Sequence, residues 1–78
     1  MKFKVGDLVR LSAAGKKSDQ NSHALGGFGI VYSTGEPYAN YPIRTNWING
    51  VEFKDGQIRR VDFKPYELKF FKKSSFLL

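Results

Sequence analysis

Between Phe3 and Lys73 the chain alternates apolar and polar residues over short runs, and Gly, Pro, Asn or Asp cuts each run off. Alternation of this kind marks strands with one buried face. In Phe3 to Ala13 it predicts a first strand, with Val5, Val9 and Leu11 toward the core, Arg10 away from it, and Gly6-Asp7 turning the backbone near its start. Phe28 to Ser33, FGIVYS, predicts a second strand, ended by Thr34-Gly35-Glu36-Pro37. Tyr41 to Ile48 predicts a third, in which Ile43, Thr45 and Trp47 share one face and Arg44, Asn46 and Ile48 the other. Asn49-Gly50 is a hairpin signal, because both central positions of a type I′ turn need positive φ. Val51 to Lys54 is then expected to return as a strand, and Asp55-Gly56 repeats the signal. Gln57 to Phe63 follows, with Arg59, Val61 and Phe63 alternating against Ile58, Arg60 and Asp62.

Lys64-Pro65-Tyr66-Glu67-Leu68 predicts one helical turn opened by proline, with Tyr66 packing to close one end of the core. Lys69 to Lys73, KFFKK, predicts the last strand. Ala14 to Gly27 is polar, small and glycine-ended, the composition of a long loop. Loops of that length are uncommon and often functional. No segment carries a helical period. Residues 1–73 therefore form one domain, and residues 74–78 an apolar-ended tail, in which Phe76, Leu77 and Leu78 either fold back over the domain or dock on another chain.

The expected fold class is all-β, with five or six short antiparallel strands and one helical turn before the last. On Val5-Gly6-Asp7-Leu8-Val9-Arg10-Leu11, Gly29-Ile30-Val31, Thr45-Asn46-Trp47-Ile48-Asn49-Gly50 and Pro65-Tyr66-Glu67-Leu68, the chain resembles the SH3-like small barrels. Similar arrangements occur in KOW-type and mind-bomb-type barrels and in small barrel proteins of bacteriophages. The resemblance implies a closed barrel and a binding role, since this superfold hosts many unrelated activities. The acidic long-loop cluster of peptide-binding signalling SH3 domains is missing; here the loop holds Lys16, Lys17 and only Asp19. Recognition of proline-rich peptides is accordingly not expected.

The composition fits a small core. At 78 residues, a chain buries only about 60–65% of the surface its unfolded form exposes. Seven Phe, four Tyr and one Trp offset that shortage, because each removes roughly 150–250 Å² from water when buried. There is no Cys, so neither a disulfide nor a thiolate metal site is possible. No apolar run is long enough to span a bilayer and MKFKVGD has no signal-peptide character, which leads to an expectation of a soluble, cytoplasmic protein. The net charge of +6 favours polyanionic partners: nucleic acid, or an acidic protein surface.

Chemistry beyond binding finds little support. His23 is the single histidine, and Asp7, Asp19, Glu36, Glu52, Asp55, Asp62 and Glu67 are scattered. Neither a nucleophile–base pair nor a metal-ligand cluster emerges, so no enzyme activity, cofactor or metal is expected. The basic residues carry the signal. Lys16, Lys17, Arg44, Arg59, Arg60 and Lys64 are the candidate phosphate contacts, and only one of Arg59 and Arg60 can point outward from a regular strand. Tyr38 is the candidate stacking residue, with Tyr32 and Tyr41 nearby in sequence. The expected function is nucleic-acid binding with little sequence selectivity. The alternative is a protein-binding adaptor or inhibitor, with a host protein as target if the bacteriophage resemblance extends to function.

Overall fold

The computed structural model describes residues 2–35 and 39–72. It contains β1 (Leu8–Leu11), α1 (Ala13–Lys17), a 3-10 helix (Asp19–Ala24), β2 (Phe28–Ser33), β3 (Ile43–Ile48), β4 (Ile58–Phe63), a 3-10 turn (Pro65–Glu67) and β5 (Leu68–Lys72). The five strands form one antiparallel sheet in the order β4-β3-β2-β1-β5. The expected strand-rich class and the helical turn before the last strand are both present. The sheet is open between β4 and β5, its two edges. Tyr38, Lys73 and the tail lie outside the described residues.

Strand alternation sorts the side chains as their pattern implies. Val9, Leu11, Val31, Ile43, Trp47 and Phe63 line the inner face and are buried; Phe3, Ala24 and Leu68 complete the core. Trp47 tilts against Phe63 at 4.9 Å between ring centroids, and its Nε1–H donates to the Ala24 carbonyl at 2.9 Å. Gly29 lies beneath that indole: a Cβ there would run into the Trp47 ring and come within 3.1 Å of the Thr45 Cβ. Glycine at this point of β2 lets the largest side chain lie flat on the sheet.

Several expectations are corrected. The first strand is shorter than Phe3 to Ala13. Its lead-in is a turn in which the Asp7 carboxylate accepts from the Lys4 N–H at 2.9 Å, leaving Val5 60% exposed while Phe3 takes the core position. The supposed long loop contains α1 and the 3-10 helix. Ser12 starts α1: its Oγ accepts from the Gly15 N–H at 3.0 Å and its O–H donates to the Tyr66 carbonyl at 2.6 Å. The Asn49-Gly50 hairpin does not form. Asn49 alone has positive φ, at 61°, while Gly50 is buried against the His23 carbonyl and the Phe53 ring, and residues 51–54 form no strand. Tyr66 is 63% exposed; the buried position in that turn belongs to Glu67.

Glu67 ties the helical segments to the sheet. Its Oε2 accepts from Asn21 Nδ2 at 2.9 Å and its Oε1 from the Lys64 N–H at 2.7 Å. The same Asn21 amide also donates to the Gly15 carbonyl at 3.1 Å, and the Ser12 N–H donates to the Glu67 carbonyl at 2.9 Å. Both Asn21 and Glu67 are buried, so removing one partner strands the other without solvent. Glu67→Ala is expected to cost about 2–4 kcal/mol. Urea unfolding followed by circular dichroism measures it; a loss below about 0.5 kcal/mol would show that water replaces the network.

Candidate functional site

The outer face of the sheet brings together what the chain keeps apart. Pairing registers set Phe28 opposite Ile48 and Ile48 opposite Ile58; the next outward row is Ile30, Asn46 and Arg60, and Arg44 stands opposite Asp62. On the other side of β2, Arg10 of β1 pairs with Lys69 of β5. Phe28 meets Phe71 edge-on at 5.7 Å, and the Arg10 guanidinium lies 5.5 Å from the Phe71 ring centre. A residue pair this distant in sequence meets here because β1 is the strand between β2 and β5.

Two recesses mark the ends of this face. One, of about 340 Å³, is lined by Arg10, Leu11, Lys16, Gly26, Gly27, Phe28 and Phe71. The other, also about 340 Å³, is lined by Tyr32, Arg44, Arg60 and Asp62. A register irregularity between Val31 and Ser33 sets Ser33 opposite Arg44, with Tyr32 at the bulge. Bulges of this sort re-aim a side chain. Phe28 and Tyr32 are four residues apart on one strand, a separation of about 13 Å. Between them Ile30 is exposed, so the surface carries apolar area along its middle and aromatic rings with cations at both ends.

The sequence-derived candidates divide between this face and elsewhere. Arg44, Arg60 and Lys16 stand on it or at its rim. Arg59 belongs to the opposite alternation, half-buried, its guanidinium 4.6 Å from the Phe53 ring centre. Lys64 lies over Tyr41, its Nζ 5.3 Å from the ring centre, on the side where Tyr41 joins Gln20, Asn21 and His23 around a shallow recess. Lys17 is exposed in the last turn of α1. Sequence reasoning passed over Arg10, Phe28, Lys69 and Phe71. Their signal is the alternation itself: Phe28 falls out of phase with Val31, and Phe71 out of phase with Leu68 and Phe70.

Among the described residues, no group of three or more His, Cys, Asp and Glu side chains could hold a metal ion. No helix among them is long and apolar enough to cross a membrane. Comparison of the chain with protein-family models, curated proteins and solved structures found no match.

Proposed function

We propose that this chain is a non-enzymatic binding module that takes single-stranded nucleic acid on the outer face of its sheet. The observation that carries the reading is the mixture on that face: exposed Phe71, Tyr32 and Ile30 among Arg10, Arg44, Arg60 and Lys69. A solvent-facing sheet surface normally carries polar residues. Aromatic rings there offer flat partners to unpaired bases, each stack contributing about 1–3 kcal/mol. Arginine supplies the bidentate geometry that phosphate oxygens accept. Duplex DNA hides its bases from such a platform, so the aromatic part of the surface favours strands that are unpaired.

The strand order and the 3-10 turn leading into β5 fit the SH3-like resemblance, while the sheet stays open between β4 and β5 where that resemblance implies closure. A basic chain without cysteine fits a cytoplasmic location. Fluorescence anisotropy on matched single-stranded and duplex oligonucleotides tests the reading. Single strands are expected to bind at least tenfold tighter. If Arg10, Lys16, Arg44 and Arg60 each neutralise a phosphate, log K falls against log salt with a slope of about −2.8. Absence of binding at low salt overturns the proposal.

A second reading has its own observation. Ile58 on the edge strand β4 is 60% exposed, and Val51 in the segment joining β3 to β4 is 68% exposed, apolar surface that suits a protein partner, acidic enough to meet Arg59 and Arg60 next along β4. Partners retained from a nuclease-treated lysate would favour that adaptor or inhibitor role.

A further inference from the structure

We propose that the recess formed by Tyr32, Arg44, Arg60 and Asp62 reads one base of the bound strand, and that the base is guanine; this rests on the nucleic-acid reading above. The starting point is the misfit of Asp62. Among the outward-facing residues of the described strands it is the single carboxylate, placed opposite Arg44 and two residues from Arg60 on a face whose other charged side chains are cationic. A carboxylate there repels phosphate. Its position makes chemical sense if it accepts hydrogen bonds from something the strand presents.

A carboxylate is an acceptor with two oxygens. Of the bases, guanine alone offers two adjacent donors, N1–H and the N2 amine, to such a pair. Adenine and cytosine present a ring-nitrogen acceptor beside their amine, and uracil or thymine flanks its single N–H with two carbonyls. Guanine also carries the O6 and N7 acceptors that arginine donates to in bidentate fashion. Arg44 and Arg60 border the same recess, so a base with its donor edge on Asp62 has guanidinium groups close to its acceptors. Tyr32, at the register irregularity of β2, supplies an exposed ring beside them for the base to stack on. Recognition of splayed, unpaired bases by a stacking ring and Watson–Crick-edge hydrogen bonds is how single strands are read in sequence. The Phe28–Phe71 end of the face has aromatic rings and cations but no acidic side chain among its lining residues, so it binds without choosing a base.

The test uses short single strands identical except at one central position, carrying guanine, adenine or inosine, with binding followed by anisotropy at fixed salt. The wild-type protein is expected to prefer the guanine strand about tenfold over adenine. Inosine, which lacks the N2 amine, should lose a good part of that preference. Asp62→Asn places a donor where the two base donors point. It should abolish the guanine preference while affinity for the adenine strand holds or rises, because a negative charge has left the face. Equal wild-type binding of guanine and adenine strands would overturn the guanine assignment and leave the nucleic-acid reading standing. Equal weakening of every strand by Asp62→Asn would do the same, and would mark the carboxylate as a cross-strand partner that only positions Arg44. No binding of any strand would overturn both readings together.

Discussion

Truncating Trp47 to alanine is expected to unfold the domain. The indole is fully buried, tilts onto Phe63, covers Gly29 and donates to the Ala24 carbonyl, joining three parts of the chain in one contact. Removing an aromatic side chain from a packed core costs about 3–5 kcal/mol. A core in a chain of this size supplies roughly that amount in total. Collapse around the gap is hindered, because Gly29 has no side chain to move in and the Ala24 carbonyl loses its donor. Far-UV circular dichroism of Trp47→Ala in a urea series measures the outcome. A cooperative transition retained with a loss under about 1 kcal/mol would show that the indole is not the centre of the core. Trp47→Phe keeps most of the packing and loses the Nε1–H bond, so a cost of about 1–3 kcal/mol is expected.

Charge reversal at Arg44 and Arg60 is expected to remove binding while the fold survives. Both side chains are exposed on the outer face and border one recess. A hydrogen bond to a charged group contributes about 1.5–3 kcal/mol, so losing two corresponds to more than a hundredfold in affinity before repulsion is added. Stability should change by less than about 1 kcal/mol, the scale of a like-charge pair across two strands, since Arg44 faces Asp62. Arg59→Glu supplies the contrast. Arg59 is packed on the Phe53 ring, so its reversal should lower stability more than it lowers affinity. Unchanged affinity for single strands would exclude the outer face as the interface, whereas unfolding of the Arg44→Glu, Arg60→Glu protein would mark the two arginines as structural. The pair is best measured by anisotropy on a single strand with thermal denaturation alongside.

The sheet was legible in the sequence to the extent that alternation controls it. β2 spans Phe28–Ser33, as its pattern implies, and β3 buries Ile43, Thr45 and Trp47 on one side. What alternation cannot show is order held by contacts distant in sequence. Ala13–Lys17 and Asp19–Ala24 are too short for a helical period to be read, and they hold their shape through Ser12, Asn21 and Glu67. Asn49-Gly50 carries the hairpin dipeptide, but burial of Gly50 against the His23 carbonyl and the Phe53 ring overrides the local preference. The candidate site was half legible for a related reason. Basic residues announce themselves singly, so Arg44 and Arg60 were found. Phe28 and Phe71 do not announce themselves, because phenylalanine is most often buried and a lone one gives no sign of facing outward. Only the pairing of β1 with both β2 and β5 sets the two rings side by side.

That pairing has a consequence for how the molecule reaches its shape. β2, β3 and β4 are successive neighbours, whereas β1 matches Leu11 to Leu68 across most of the described chain. Contacts spanning so many residues are slow to find, because the intervening chain must be closed into a loop first. While a ribosome is still feeding out the segment before Leu68, one flank of β1 has no mate. The hydrogen-bonding groups of Leu8–Leu11 then stand open to whatever strand arrives, and the emergence of Leu68–Lys72 ends that vulnerable interval.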